Sequence, residues 1–229
     1  MRWRSLQREA QPHYVRDYRR HVSALLRAYP RDEAMSLAIG GNSEQGGDLQ
    51  VDVLVAAGLS NRTSLVDLGC GSGRLSKALG RRFPSVEYLG TDVVDELIDY
   101  ARQGAPRSFR FELHSELSIP AASGSIDIVC AFSLFTHLFH EETVCYLQDA
   151  RRCLRPGGCV VFSFLEYGRH WDTFEPMLRD EWRNARPHLN MFIERSAIAE
   201  WSRHLGYSVE TYDFPSSLGQ SIVLLRLGF

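Results

Sequence analysis

The sequence predicts a doubly wound α/β fold: a mostly parallel, seven-stranded sheet that ends in an antiparallel hairpin, with additional helices at the N-terminus. Three observations predict it. Short apolar runs alternate with segments of helical periodicity from residue 64 to residue 164, which is the pattern of strand–helix units in a parallel sheet. A glycine-rich turn joins the first run to the first of these helices. Two later apolar runs are long enough to pair antiparallel.

The chain is predicted to be a single domain of four segments. They are a helical cap (1–60), a ligand-binding core (61–165), a lid or insertion (166–194) and a C-terminal helix with a hairpin (195–229).

The cap is predicted to contain two helices. Apolar and aromatic side chains recur at helical spacing from Tyr14 to Tyr29, and Pro30 ends that helix. A glycine-rich connection over residues 40–47 leads to a second helix, which ends at Gly58.

The core is predicted to contain five strands, each a short run rich in apolar residues. They are Ser64–Leu68, Val86–Gly90, Phe109–Leu113, Ile126–Phe132 and Cys159–Phe164. In an open parallel sheet the ligand site lies beyond the carboxyl ends of the strands. We therefore expect the functional residues in the loops that follow these strands.

The sequence changes character after Phe164. Residues 166–194 are rich in aromatic, charged and histidine residues without clean periodicity, which suits a lid over the edge of the sheet. A helix around Trp201 follows, and then the two strands of the hairpin, Tyr207–Phe214 and Gln220–Leu227.

Composition and charge narrow the classes of function. The chain has 229 residues and a net charge of −2, so it lacks the basic surplus that binding to a nucleic-acid backbone requires. No window holds the roughly 18 apolar residues of a membrane span, and no secretory signal is recognisable. Five cysteines without a CxxC pair argue against a zinc site and fit a reducing compartment. We expect a cytoplasmic monomer or homodimer that binds a small molecule, without nucleic acid, membrane or metal.

The most informative segment is Val66–Gly73, where an apolar strand runs into a glycine-rich turn and then a helix. Glycine is needed where the backbone adopts positive φ or lies against a ligand, and a helix N-terminus favours a negative group. Asp67 stands just before the glycines, which suits a cationic ligand group and opposes a pyrophosphate. The third glycine of a dinucleotide fingerprint would fall at Arg74. The alternative is a tight turn with incidental glycines.

A second carboxylate, Asp92, ends the second predicted strand about twenty residues beyond the glycine turn. At that place it can accept hydrogen bonds from both hydroxyls of a ribose. Its alternative role is the N-cap of the helix that follows.

With these motifs, residues 64–164 resemble a class I S-adenosylmethionine-dependent methyltransferase. The family's first motif, D-x-G-x-G-x-G, matches Asp67, Gly69, Gly71 and Gly73, and its ribose-binding acidic residue matches Asp92. Two later signatures agree as well: residues 124–127 (GSID) match the family's "G-S-F-D", and residues 154–158 (LRPGG) match its "L-x-P-G-G". The resemblance implies S-adenosylmethionine as cofactor, with further contacts from Cys70 and Val93.

One position departs from the family. The aspartate that usually contacts the adenine amino group is replaced by Ser115, with Glu116 next to it. We expect the serine oxygen or the neighbouring carboxylate to take over that hydrogen bond.

The segment Ser133–Leu138, with the form S-x-F-T-H-L, follows the fourth predicted strand. The family places residues near the methionine end of the cofactor here, which implies a contact from Ser133. His137 is the candidate catalytic residue: it can orient the cofactor, act as a base or cap the next helix. His140, Glu166, Tyr167 and His170 are further candidate bases, with a solvated or structural role as the alternative.

The acceptor side is less defined. Aromatic residues of the lid, together with Tyr14 and Tyr18, either wall an acceptor pocket or form plain core. The lid aromatics are Tyr167, Trp171, Phe174, Trp182 and Phe192. Four lid arginines suit a carboxylate or phosphate on the acceptor or form a solvated face. They are Arg169, Arg179, Arg183 and Arg186.

The sequence therefore predicts methyl transfer to a small molecule, at oxygen or nitrogen, by in-line displacement. The S-x-F-T-H-L segment resembles small-molecule methyltransferases of bacterial biosynthetic pathways. Two alternatives stay open: an NAD(P)-dependent oxidoreductase on the same sheet, and a non-catalytic adapter that keeps the fold.

Overall fold

A seven-stranded sheet forms the centre of the molecule in the computed structural model, which describes residues 11–41, 43–178, 189–212, 214 and 219–228. The strands are β1 (Ser64–Leu68), β2 (Glu87–Asp92), β3 (Arg110–Leu113), β4 (Ile126–Ala131), β5 (Leu154–Phe164), β6 (Tyr207–Thr211) and β7 (Ser221–Leu227). Their order in the sheet is β3–β2–β1–β4–β5–β7–β6. The first five strands run parallel, and β7 pairs antiparallel with both β5 and β6. The predicted fold class is confirmed.

Helices cover both faces of the sheet. They are α1 (His13–Ala28), α2 (Arg31–Leu37), α3 (Ser43–Ala56), α4 (Arg74–Arg82), α5 (Asp95–Gln103), α6 (His140–Cys153), α7 (Trp171–Phe174) and α8 (Arg195–Leu205). Two short 3₁₀ helices, Phe135–His137 and Glu175–Leu178, follow β4 and α7.

The register of the sheet brings the functional loops together. Asp67 on β1 lies beside Gly90 of β2 on one side and Cys130 of β4 on the other. All five residues of β1 are buried, because helices pack on both faces of a parallel sheet. The loops after β1, β2 and β4 consequently leave the sheet side by side at its carboxyl edge.

The cap contains one helix that the sequence analysis did not predict. Pro30 ends α1 as expected, but the chain becomes helical again at Arg31, and Pro30 serves as the N-cap residue of α2. Proline is tolerated at a helix start because the first N–H groups have no partner within the helix.

The predicted glycine-rich connection over residues 40–47 is shorter than expected, because α3 begins at Ser43 and includes Gly46 and Gly47. A Cβ atom on Gly47 would lie 2.6 Å from the backbone oxygen of Arg74. These glycines therefore allow α3 to pack closely on α4, and tertiary packing outweighs their low helix propensity.

Aromatic side chains from the described part of the predicted lid pack against one another. The Tyr167 ring stacks on Phe192 with centroids 4.8 Å apart, and Phe174 meets Tyr167 edge to face at the same distance. Trp171 lies against Phe174 at 5.2 Å and is half exposed. The remaining lid residues predicted to matter, Trp182, Arg179, Arg183 and Arg186, lie outside the described residues.

Within the described ranges, all five cysteines are free thiols and no three histidine, cysteine or acidic residues form a cluster able to hold a metal ion. The described helices include none with the length and apolar character needed to cross a bilayer.

Candidate active site

A cavity of about 430 Å³ opens at the carboxyl edge of β1, β2 and β4. Its floor is formed by Asp67 and the turn Gly69–Gly71, and one wall by Thr91–Val93. The opposite wall is formed by Phe132–Leu134, and residues of α1 also line the cavity. The cavity thus occupies the place where an open α/β sheet binds its ligand.

The glycine turn depends on its glycines for two different reasons. Gly69, Gly71 and Gly73 all have positive φ, at +68°, +56° and +86°. A Cβ atom on Gly71 would lie 2.6 Å from Cγ2 of Ile39, another residue of the cavity wall, so glycine lets the turn pack closely on Ile39. Gly73 is placed differently: its Cβ would meet Ala101 at 2.9 Å. Gly73 therefore lets α4 pack on α5 and does not line the cavity.

Asp92 links the glycine turn to α5. Its Oδ2 accepts the backbone N–H of Gly71 at 2.9 Å, and its Oδ1 accepts the N–H groups of Val93 and Val94 at 2.7 and 3.1 Å. Burial raises the pKa of Asp92 to about 6, although these three N–H groups lower it. Asp92 also lines the cavity. It therefore binds the N–H groups at the start of α5, as an N-cap residue does, and is placed to contact a ligand as well.

Asp67 lies beneath the turn and shares hydrogen bonds with two buried neighbours. The Tyr88 hydroxyl donates to its Oδ2 at 2.7 Å, and the Cys130 thiol lies 3.6 Å from its Oδ1. Burial raises the pKa of Asp67 to about 7, against the lowering effect of these two donors. Two carboxylates with raised pKa values thus lie on one cavity, as is common at functional sites.

The turn cysteine is not a nucleophile. Cys70 lines the cavity but is buried, and burial together with the charges of Asp92 and Asp67 raises the pKa of its thiol. Thiol chemistry requires the thiolate, which this environment disfavours.

The residues expected at the adenine end are placed differently from the prediction. The side chains of Ser115 and Glu116 are exposed and do not line the cavity, because the chain turns outward after β3. His114 lines it instead, with its Nε2 3.0 Å from the Ser118 hydroxyl and its backbone N–H bonded to Asp92 O at 2.9 Å. Its position directly after β3 was the available signal, and the sequence analysis missed it.

One face of α1 covers the cavity. Tyr14, Tyr18 and His21 line it from successive turns. The helix is held down by the Tyr14 hydroxyl, which donates to Ser115 O at 2.7 Å, and by Arg19 Nε, which donates to Val93 O at 3.0 Å. Burial, with Asp92 nearby, raises the pKa of Tyr18 well above its usual range, so its phenol stays protonated.

Three polar side chains, those of Ser133, Ser163 and Gln220, meet at one edge of the sheet, where β4 and β5 end and β7 begins. Ser133 has φ +59°, a left-handed conformation that is uncommon for a residue other than glycine, and its N–H donates to the Ser163 hydroxyl at 2.7 Å. The Ser163 hydroxyl donates to Gln220 Oε1 at 2.6 Å, and Ser133 Oγ lies 3.3 Å from the same oxygen. Because Oε1 of Gln220 faces the two serines, its amide nitrogen points away from them. Ser133 and Gln220 both line the cavity.

His137, the predicted catalytic residue, ends the 3₁₀ helix after β4 and lines the cavity. Its Nδ1 lies 2.7 Å from the carbonyl oxygen of Leu189. Because a carbonyl only accepts, Nδ1 carries a proton, and in the neutral ring Nε2 is the basic nitrogen. The ring meets Tyr18 edge to face at 5.2 Å.

The other candidate bases do not line the cavity. His140 Nε2 lies 2.9 Å from Phe192 O. Glu166 is buried in a bidentate ion pair with Arg195 at 3.0 Å and accepts the Ser221 hydroxyl. Burial raises the pKa of Glu166, but these two donors outweigh it and hold the pKa below its usual value. It is a structural anion and not a base. The lid aromatics Tyr167, Trp171, Phe174 and Phe192 do not line the cavity either.

Gln50 and Arg74 are among the cavity residues that came from no predicted motif. Gln50 on α3 is buried, and Arg74 is the first residue of α4. Arg74 directly follows the glycine turn, which was a usable signal, whereas Gln50 is an ordinary polar residue of a helix in the sequence.

The described geometry agrees with the comparisons with known proteins. Residues 65–158 match the family model of the methyltransferase domain. The chain is 28% identical over 175 residues to a malonyl-[acyl-carrier protein] O-methyltransferase of Methylococcus capsulatus, covering 72% of this chain and 61% of that protein. It is 36% identical over 161 residues to a demethylmenaquinone methyltransferase of Deinococcus radiodurans, covering 68% and 64%. The chain thus spans less than two thirds of each relative.

Solved structures share the fold over nearly the whole chain. Magnesium protoporphyrin IX methyltransferase from Synechocystis, solved with bound S-adenosylhomocysteine, superposes with a TM-score of 0.68 at 18% identity. The superposition covers 93% of this chain and 98% of the other.

Proposed function

We propose that this chain is a class I S-adenosylmethionine-dependent methyltransferase that transfers a methyl group from this cofactor to an oxygen or nitrogen of a small molecule. The match of residues 65–158 to a methyltransferase domain supports the proposal. The observation that carries the proposal is the convergence of the glycine turn and the Asp92 carboxylate on one cavity at the carboxyl edge of the sheet.

The residues of the cavity fit this cofactor. The turn Gly69–Gly71 lines the cavity without side chains at Gly69 and Gly71, so a ligand can approach the backbone closely there. Asp92 already accepts three N–H groups, yet its oxygens offer about four lone-pair sites, so it keeps capacity for a ribose hydroxyl. Val93, Leu97 and His114 supply a mixed apolar and polar wall suited to adenine.

S-adenosylmethionine, when bound, supplies a methyl group on a positively charged sulfur, which the acceptor atom takes by in-line displacement. The chain's part is to hold and orient the reactants, which lowers such barriers by up to roughly 7–11 kcal/mol in the best cases. Asp67 and Asp92 give the cavity a negative charge once the pH exceeds their pKa values of about 7 and 6. That charge favours a cationic ligand.

His137 is the proposed general base. An acceptor hydroxyl or protonated amine must lose a proton as it is methylated, and a positioned base contributes about 10²–10⁴-fold to such steps. The bond from Nδ1–H to Leu189 O fixes the tautomer and orients the ring. Nearby, the amide nitrogen of Gln220 offers a donor to an oxygen of the acceptor.

The cavity of about 430 Å³ lies within the range of about 300–1,000 Å³ in which proteins enclose a small ligand such as the cofactor. The relatives do not agree on one acceptor: one is named for O-methylation of a malonyl group on acyl-carrier protein and another for methylation of demethylmenaquinone.

The cofactor is tested by calorimetric titration of S-adenosylhomocysteine into the purified protein, with NAD as the control ligand. Micromolar affinity for the first and none for the second is expected. Binding of NAD alone would favour an oxidoreductase. Binding of neither, by a folded protein free of co-purified ligand, would favour a non-catalytic adapter.

The acceptor is tested by incubating the protein and methyl-labelled S-adenosylmethionine with a bacterial extract. The label is expected in the small-molecule fraction. Label found only in the protein fraction would contradict a small-molecule acceptor.

A further inference from the structure

Gln220 directly precedes β7 and reaches a polar cluster at the carboxyl edge of the sheet. Its Oε1 accepts the Ser163 hydroxyl at 2.6 Å and lies 3.3 Å from the Ser133 hydroxyl. The Ser163 Oγ in turn accepts the backbone N–H of Ser133 at 2.7 Å. Ser163 is only 1% exposed, so its hydroxyl proton needs an acceptor within the protein.

This cluster fixes which end of the Gln220 amide faces the serines. The oxygen and the nitrogen of an amide are told apart by the hydrogen bonds that each can make. If the amide were turned over, its nitrogen would face Ser163, and the buried Ser163 proton would lose the acceptor that it has among the described residues. With Oε1 toward the cluster, both serine hydroxyls can donate to the two lone pairs of one oxygen. The Gln220 nitrogen is therefore held on the side away from the serines.

The Gln220 nitrogen is a donor that a ligand can reach. Nε2 forms no hydrogen bond with the described residues, and it is not one of the buried polar atoms that lack a partner there, so it keeps accessible surface. Gln220 lines the cavity. Its amide nitrogen carries two N–H groups and accepts nothing. An oxygen of a ligand would pair with it, whereas an ammonium group would meet a second donor.

The Gln220 amide lies at the end of the cavity away from Asp92. Its partner Ser163 is on β5, and Asp92 ends β2. The strand order β2–β1–β4–β5 puts three spacings of about 4.8 Å, or about 14 Å, between those two strands. His137, the proposed base, follows the intervening β4. The amide is therefore on the side of the proposed base and not on the side of the proposed ribose contact.

We infer that Gln220 selects methyl acceptors that carry a carbonyl-type oxygen, from a neutral carbonyl or a carboxylate, beside the atom that is methylated. Nε2 donates a hydrogen bond to that oxygen, while Ser133 and Ser163 hold the amide so that only its donor end faces the acceptor. A cationic group at the same place is disfavoured, because it also donates. The inference rests on the proposed function and narrows its acceptor to one chemical class.

The first test is the chemical identity of the acceptor. A bacterial extract is incubated with the wild-type protein and methyl-labelled S-adenosylmethionine, and the labelled small molecule is identified by mass spectrometry. It should carry a carbonyl or carboxyl oxygen next to the new methyl group, and its structure distinguishes these two sources. A labelled product without such an oxygen would overturn the inference while the proposed function stands. A complete absence of labelled product would contradict the proposed function itself.

The second test removes the donor while the protein keeps its fold. Gln220→Glu retains oxygens for both serine hydroxyls but replaces the donor nitrogen, and Gln220→Met retains only the length of the side chain. With the acceptor purified from the extract, each variant should raise KM about 10-fold, the effect of one hydrogen bond. The glutamate should raise it further, because its charge repels the acceptor oxygen. Affinity for S-adenosylhomocysteine, measured by calorimetry, should stay within about twofold.

Gln103→Glu is the matched control, because Gln103 is exposed at the end of α5 and does not line the cavity. It should change neither the KM for the acceptor nor the affinity for S-adenosylhomocysteine. Thermal unfolding of Gln220→Glu should match that of wild type, because the serine bonds are kept. An unchanged KM in both Gln220 variants would overturn the inference. A loss of S-adenosylhomocysteine affinity as large as the rise in KM would also overturn it, because Gln220 would then hold the cofactor.

Discussion

Asp92 holds the glycine turn from the neighbouring strand: its Oδ2 accepts the backbone N–H of Gly71 at 2.9 Å, 21 residues away in the chain. The same carboxylate binds the N–H groups of Val93 and Val94 with its other oxygen. One side chain therefore fixes the turn after β1 and the start of α5, and presents a charge to the cavity between them.

Asp92→Asn should weaken binding of S-adenosylhomocysteine and lower stability together. The amide replaces one accepting oxygen with a donor, which leaves a backbone N–H unsatisfied at a cost of about 1–3 kcal/mol. Calorimetry and thermal unfolding measure the two effects. Asp95→Asn is the control, because Asp95 is exposed one turn away in α5. Asp92→Arg should abolish binding of adenosine ligands, and unchanged affinity would refute the ribose assignment.

Gly71→Ala should impair binding more than it impairs folding. Both Gly71 and Gly124 have positive φ, at +56° and +62°, so alanine at either site costs about 1–2 kcal/mol. A Cβ at Gly71 would also displace Ile39, whereas one at Gly124 meets nothing within 4 Å. Thermal unfolding should show a loss in both variants, and titration with S-adenosylhomocysteine a loss only in Gly71→Ala. Equal affinity in the two variants would contradict the cavity assignment.

Local sequence signals predicted most of the fold. Strand β1 matches its prediction at both ends, because Leu65, Val66 and Leu68 form a short apolar run that is buried in full together with the polar Ser64 and Asp67. Helix α2 was missed because Pro30 was interpreted only as the end of α1, although proline also starts helices. Gly46 and Gly47 were assigned to a connection because their helical conformation depends on α4, which lies about 30 residues later in the chain.

The candidate site likewise contains residues that the sequence predicted and residues that it did not. Asp67, Gly71 and Asp92 stand in short motifs whose spacing carries their chemistry, and all three line the cavity. Gln50 and Gln220 also line it, but each reaches the cavity from an element outside those motifs. A lone glutamine in a sequence carries no such signal, so only the assembled fold identifies them.

The buried Asp67 should make stability depend on pH. Its pKa rises on folding from an ordinary 3.8 to about 7. The folded state therefore binds the proton more tightly, and this contribution to stability is full below pH 3.8 and lost as the pH rises through about 7. Asp67→Asn stays neutral and can still accept the Tyr88 hydroxyl. The fall in unfolding temperature between pH 5 and pH 8 should be smaller in this variant than in wild type; equal falls would show that Asp67 titrates normally.

Glu166 should make stability depend on pH in the opposite direction to Asp67. Arg195 and Ser221 hold its pKa below the usual value despite burial, so its contribution to stability is lost as the pH falls through that lowered pKa. Glu166→Gln breaks the bidentate pair with Arg195 and should lower the free energy of unfolding by about 2 kcal/mol or more. Glu200→Gln, at the exposed pair with Arg203, should change little in the same denaturant titration. Similar effects in both variants would contradict a buried structural anion.

His137→Gln tests the proposed base with a matched control. Glutamine keeps a polar side chain but lacks a basic nitrogen, so methyl transfer to the identified acceptor should fall by about 10²–10⁴-fold. Affinity for S-adenosylhomocysteine should change by only a few-fold, because the glycine turn and Asp92 are untouched. His140→Gln alters a histidine three residues away that is bound to Phe192 O and does not line the cavity, and its turnover should stay near wild type. A parallel loss of affinity and turnover in His137→Gln would instead assign His137 to holding the cofactor, because a base removed without a change in binding lowers only the rate of transfer.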